Sequence, residues 1–312
     1  MSNSAAAVSL TGTDRVSRPG TATGGDRFCR IRHQPSLPLR LIHSSNVLHK
    51  WTADKKKDGV PMTETKEMSS GGYRFMPGVF QYSGGVGAMP GHALERVRFS
   101  KPVPMRMGFE RIREYLFAQG RPLQAFCACE LRSPEPFSEE GFRQFNETYA
   151  GTLADWGIFD GETNPVARAN VCPDFDKPDE PSFHAFTYTV EQPDAGPSFV
   201  ISGSGEAPEG KGNYRDHIVA RGDLSADGLR EKAAWVLGEM ERRMSAFSVG
   251  WADTTAVQVY SVHDIHPLIA QEFAPRGIMR NGLIWHLNRP PVVELEYEMD
   301  CRCVHTERIL QT

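Results

Sequence analysis

No stretch of this 312-residue sequence strings together the roughly 18 to 20 apolar residues that cross a bilayer, so no membrane span is expected. Neither sign of charge is in excess, with 35 basic side chains against 39 acidic ones and a net charge of −4. Totals so nearly balanced imply no basic surface for nucleic acid. Six cysteines are too few to form a disulfide scaffold in a chain of this length. Four of them fall in the pairs Cys127/Cys129 and Cys301/Cys303. Residues two apart on a strand share a face, but zinc-binding cysteines are usually spaced more widely and on turns. Buried thiols in a reducing compartment are the expected state. The N-terminus also lacks the charged, then apolar, then small-residue order of a secretory signal, and the expected location is the cytoplasm.

Residues 1–68 are rich in Ser, Thr, Gly, Arg and Lys and show no sustained apolar period. Such a segment buries too little surface to offset its ordering entropy, so a disordered extension is expected. Met62 stands just before the ordered pattern begins.

Strand and helix signals alternate after that point. "VFQYSGG" and "ALERVRF" read as strands, "MRMGFERIREYLFAQG" as a helix stopped by Gly120, and "LQAFCACEL" as a buried strand. A helix is predicted from about Ser138, whose hydroxyl caps it, followed by the strands "ARANV" and "FHAFTYTV". After the turn-forming "EQPDAGP", residues 191–197, the order repeats. "FVISGSG" and "HIVARGD" read as strands, the run from Ser225 to Phe247 as a long helix, "TTAVQVYSV" as a strand and "HPLIAQEFA" as a short helix. "LIWHL" and "VVELEYEMDCRCV" close the chain as strands. The pattern predicts an α+β fold built from two copies of one unit, 69–192 and 193–312, each a mixed sheet packed on two helices.

One residue stands out in "NPVARANVCPDF". Arg168 is flanked by Pro165, Val166, Ala167, Ala169 and Val171, the small and apolar residues of a buried strand. A guanidinium never loses its proton in a protein, and burying it unpaired is costly. A crevice that receives a carboxylate supplies the missing partner through a bidentate contact.

"FRQFNETYAGTL", with Asn146 and Tyr149, "NPVARANV", "ISGSGEA" and the run from Gly222 to Asp264 together resemble the RidA (YjgF/YER057c/UK114) family, taken twice in tandem. The resemblance implies two chorismate-mutase-like domains, a homotrimer, and small-molecule clefts between subunits. It also implies enamine or imine hydrolysis of a small carboxylate such as 2-aminoacrylate or an aminomuconate, with no cofactor and no metal. In such a cleft a strand arginine holds the carboxylate and an acidic residue serves the water. Carried onto this sequence, the arginines are Arg168 and Arg280. The acid falls on Glu294, with Glu296 its same-face neighbour, and Ser83 and Ser202 join the substrate-binding set.

The resemblance leaves two alternatives open: a chorismatase-like hydrolase on the same scaffold, and a ligand-binding protein without turnover. His263 and His266 beside Asp264 have a spacing that suits metal ligands, and equally suits a turn and a helix cap.

Overall fold

Each long helix starts where the sequence places a cap or a fixed φ. A computed structural model describes residues 64–211 and 213–312. Helix α1 (Met105–Ala118) begins directly after Pro104 and buries Phe109, Ile112 and Leu116 at helical spacing. It ends before Gly120, whose φ of 65° is cheap only without a Cβ. Helix α2 (Glu139–Asp155) is capped by Ser138, whose Oγ accepts the Gly141 N–H at 3.1 Å, and Glu139 and Glu140 lie at the positive end of its dipole. Helix α3 (Ala226–Ala246) uses the same device, Ser225 Oγ accepting from Gly228 N at 3.2 Å.

The strands are β1 (Lys66–Met68), β2 (Tyr73–Met76), β3 (Gly85–Ala88), β4 (His92–Pro104), β5 (Phe126–Arg132), β6 (Ala167–Pro173) and β7 (Ser182–Glu191). They continue with β8 (Phe199–Gly205), β9 (Ala256–Tyr260), β10 (Ile284–His286), β11 (Asn288–Arg289), β12 (Glu298–Cys303) and β13 (Thr306–Leu310). They build two mixed sheets, one in the order β1-β2-β3-β8-β12-β9-β10 and the other β11-β6-β5-β7-β4-β13. The α+β class is therefore as expected. The division at 192/193 is crossed both ways: β1, β2 and β3 join the sheet of the second half, while β11 and β13 join that of the first. All of these strands belong to one compact unit.

Helices cover one face of each sheet. The α1 and α2 side chains pack with Phe126, Phe183 and Phe186 of one sheet, and α3 packs its Val236, Leu237 and Met240 on Met299, Cys301 and Cys303 of the other. The opposite faces meet and carry charge. On β12 the period of two sends Glu298, Asp300 and Arg302 to the side away from α3. Across the gap, Arg132 of β5 lies 5.5 Å from the Tyr260 ring centroid of β9, and Arg96 of β4 donates to both Glu130 oxygens at 2.6 and 2.9 Å. Burial opposes ionisation of Glu130, yet the Arg96 charge holds its carboxyl well below the usual range. Two histidines in this layer are kept neutral: burial, with Arg132 adding, pushes His184 down to about 3 and His286 down to about 4.

Several local expectations differ. "VFQYSGG" is mostly turn, and its strand begins only at Gly85. "HIVARGD" is not a strand, because Ala220 at φ 45° and Gly222 at φ 74° break extended backbone. Of the predicted disordered extension 1–68, the part up to residue 63, Met62 included, lies outside the described residues. Its end, Lys66–Met68, forms β1. Cys127 and Cys129 do not share a face. A bulge at Phe126/Ala128 sends Cys127 to a small core with Tyr73 and Leu94, and Cys129 toward α2. The five cysteines of the described residues are free and buried. Among the described residues no helix is long and apolar enough to cross a membrane.

Candidate active site

Arg168 sits on β6, before the stretch paired with β11, where the strand runs beside β8. Its backbone N–H donates to Ser202 Oγ at 3.1 Å, and Ser202 in turn donates to the Ser83 carbonyl at 2.6 Å. The side chain turns toward α2 and is only 2% exposed. Four rings surround its guanidinium, with centroids at 4.8 Å (Tyr149), 5.0 Å (Tyr82), 5.5 Å (Phe145) and 5.8 Å (Phe142). Ring faces attract a desolvated cation by roughly 2 kcal/mol or more each, but they do not neutralise its charge. Among the described residues Nη1 has no hydrogen-bond partner.

Arg243 shows what a structurally satisfied arginine looks like in the same neighbourhood. It is equally buried, yet it donates to Glu239 at 2.8 Å, to Glu209 at 2.9 Å, and to the Ser202 and Gly203 carbonyls at 3.1 and 3.2 Å. Among the described residues Arg168 has nothing comparable.

Beside Arg168 lies a cavity of about 30 Å³, lined also by Tyr82, Asn170, Glu209, Tyr214 and Glu298. Glu298 is 3% exposed, and among the described residues no donor is bonded to its carboxyl. Burial raises that carboxyl well above the usual range; the neighbouring Asp300 raises it further and Arg168 opposes. A carboxyl held this way is a candidate proton donor. Its position requires Gly203, because a Cβ there would stand 2.2 Å from Glu298 Oε1. Asp300, two residues along the same face, accepts from Gln258 Nε2 at 2.8 Å and Tyr260 Oη at 2.7 Å, and burial lifts it to about 6.

Glu209 lines both this cavity and a larger cleft of about 340 Å³, with Val79, Pro208 and Trp235. It accepts from Tyr82 Oη at 2.7 Å and from Arg243 Nη2.

Of the residues singled out in the sequence, Arg168 lines the cavity and the others do not. Ser83 and Ser202 are buried and spend their hydroxyls on the β-strand seam. Arg280 is exposed in the turn Ile278–Asn281, bracketed by Gly277 and Gly282 at φ 77° and 84°; the strand expected there starts only at Ile284. Glu294 stands before β12, not on it. Its φ of 70° takes the backbone out of extended geometry, and its carboxylate pairs on the surface with Arg215 at 3.1 Å and Arg221 at 3.0 Å. Glu296 meets His263 Nε2 at 2.7 Å. His266 pairs with Asp264, which also accepts its backbone N–H at 3.0 Å, a turn arrangement. Among the described residues no group of three or more His, Cys, Asp or Glu is placed to hold a metal ion.

The acids that do face the cavity layer, Glu298 and Asp300, escaped the sequence reading. Their signal was present in "EMDCRC", where charged and apolar residues alternate strictly. All the residues that line the cavity belong to this chain.

Residues 65–308 match the family described as 2-aminomuconate deaminase CnbZ. The chain belongs to this family. It is 49% identical over 251 residues to 2-amino-5-chloromuconate deaminase of Comamonas testosteroni, a match that covers 80% of this chain and all of the relative. The resemblance to RidA is thereby corrected: it rested on short, separate pieces, whereas the CnbZ match takes in both sheets and every strand from β1 to β12. The coarse activity of this family is deamination. A crystal structure of a chorismatase is loosely similar, with a TM-score of 0.45 and 11% identity over 78% of this chain and 86% of that one.

Proposed function

We propose that this protein is a hydrolytic deaminase of a 2-aminomuconate-type dicarboxylate, with Arg168 holding a substrate carboxylate and Glu298 moving protons. The observation that carries the reading is the buried guanidinium, without a counter-ion among the described residues, sharing a cavity with a buried carboxyl whose pKa burial raises. The family and the chloromuconate-acting relative supply the substrate class.

The chemistry balances on one carboxyl group. Glu298 gives its proton to a diene carbon of the enamine, turning the amino-bearing carbon into an iminium and leaving a carboxylate beside the Arg168 charge. That carboxylate takes a proton from water as the oxygen bonds to the iminium carbon, forming a carbinolamine. Glu298 then protonates the amine, the C–N bond breaks to release ammonia, and the hydroxyl proton returns to Glu298 as the C=O forms. Desolvation favours the neutral acid at the start of each cycle, and Arg168 stabilises the anion between steps.

A muconate-length molecule exceeds a cavity of about 30 Å³, which holds a water or two. Binding therefore displaces that water and parts the lining, and Glu209, which lines both the cavity and the larger cleft, marks the route.

The test is ammonia release from 2-aminomuconate by the purified protein, followed together with the loss of the diene absorbance. Glu298→Gln is expected to abolish turnover while retaining binding of muconate itself; full activity in that variant would refute the assignment.

A further inference from the structure

The cavity holds a second polar group that the reaction above does not use. Asn170 lies two residues beyond Arg168 on β6, so both side chains leave the same face of the strand. Strand geometry sets their Cα atoms about 6.6 Å apart. Asn170 is 3% exposed and lines the cavity. Its Oδ1 accepts from Ser133 Oγ at 2.9 Å, and among the described residues its Nδ2 has no partner.

Ser133 is itself fixed, its backbone N–H donating to the Val171 carbonyl at 2.9 Å. The hydroxyl thus orients the amide: with Oδ1 taken, the two N–H bonds of Nδ2 are left for whatever occupies the cavity. An unsatisfied buried amide costs about 1–3 kcal/mol, and the fold gains nothing visible in return. Arg132 also carries an unpartnered nitrogen, Nη2, but its guanidinium is engaged by the Tyr260 face and lies 3.8 Å from Glu130, and it does not line the cavity.

We infer that Asn170, oriented by Ser133, is a specificity-determining residue that receives the second carboxylate of a dicarboxylic substrate while Arg168 receives the first. The inference rests on the proposed function and deepens it. The two anchors lie along one strand at a spacing on the scale of a short diacid. One is charged and the other neutral, so the far carboxylate is selected by hydrogen bonding without adding a second buried cation. A neutral Glu298 does not repel either carboxylate.

The experiment compares muconate with its monomethyl ester as inert ligands, by calorimetry, and 2-aminomuconate with its far-end monoester as substrates, in wild type, Asn170→Asp and Ser133→Ala. Asn170→Asp keeps the shape and the Ser133 bond but sets a negative charge against the far carboxylate. Expected is a rise of about ten- to a hundredfold in Kd and KM for the diacid, with the monoester values moving less than about threefold. Ser133→Ala, which frees the amide to rotate, should shift the diacid in the same direction by a smaller factor. Equal effects on diacid and monoester, or a wild type that binds both alike, would overturn the subsite. If wild type binds muconate more tightly than the ester yet releases no ammonia, the proposed reaction fails and the subsite stands.

Discussion

The Arg168 guanidinium lies 4.8 Å from the ring centroid of Tyr149, whose hydroxyl is turned to the Cys129 thiol at 3.4 Å. The tyrosine thus offers the cation its π face and withholds its oxygen. With Tyr82, Phe142 and Phe145 around the rest, the cation is desolvated without being neutralised. This is a poor arrangement for stability and a good one for capturing an anion.

Arg168→Met should therefore separate the two. Removing an unpaired buried charge and leaving a flexible apolar side chain among four rings is expected to hold the melting temperature or raise it. The same change should cut kcat/KM by about a hundredfold or more, the value of a lost charge-assisted pair. Thermal denaturation and ammonia release on one preparation decide it; a destabilised variant that keeps its activity would show a structural arginine.

Gly203 sets the position of the acid. A Cβ at this residue would fall 2.2 Å from Glu298 Oε1 and 3.2 Å from the Ala169 Cα and Cβ, so Gly203→Ala must move the carboxyl or part β6 from β8. Overpacking of this kind costs about 1–3 kcal/mol. The expected result is a modest drop in denaturation midpoint together with at least about a tenfold fall in kcat, since a displaced proton donor loses geometry that a reaction needs. A fall in stability alone would place Glu298 outside the chemistry.

What local pattern can reveal, it did reveal here. Ser138 caps α2 as its place before an apolar-periodic run predicts, and Arg168 was conspicuous because its neighbours on β6 are small and apolar. The proposed acid, Glu298, lies four residues beyond Glu294 on the same segment. "VVELEYEMDCRCV" reads as continuous strand, but Glu294 at φ 70° delays β12 until Glu298, and only that start tells which carboxyls face inward. The exchange of β1–β3, β11 and β13 between sheets was also out of reach, because pairing between distant strands leaves no trace in the period of either one.

Asp300 tunes Glu298 from the same strand face. Burial is the main cause that raises the Glu298 carboxyl, and the Asp300 charge comes next. Asp300, itself lifted to about 6, is largely ionised above that pH. If Glu298 must start as the neutral acid, activity falls as pH rises through its elevated pKa. Asp300→Asn removes the repulsion, lowers that pKa, and should move the alkaline limb of the kcat/KM profile to lower pH. Gln258 and Tyr260 remain able to bond the amide, so the strand register should persist. A limb that stays in place, or moves toward alkali, would show that some other group sets it.

Lys232 and Glu206 test the scaffold behind the site. Lys232 Nζ lies 3.3 Å from Glu206 Oε1 and donates to the Val219 carbonyl at 2.8 Å, and both side chains are fully buried. Glu206 also accepts the backbone N–H groups of Glu296 and Tyr297 at 2.7 and 3.1 Å, tying the segment after β8 to the one that leads into β12. Lys232→Met strands the carboxylate, a loss of about 3–5 kcal/mol for a broken buried pair. Burial already raises the Glu206 pKa. Below that pKa the carboxyl is neutral and needs no counter-ion, so the deficit of Lys232→Met should shrink as pH falls and widen as it rises. The double variant Lys232→Met, Glu206→Gln should recover part of the loss at neutral pH, because no buried charge is then left unpaired, while the single amide oxygen accepts only one of the two backbone N–H groups that the two carboxylate oxygens take. Urea denaturation at pH 5 and pH 8 reads both effects; a deficit independent of pH, with no recovery in the double variant, would mean that Lys232 acts through its packing and not through its charge.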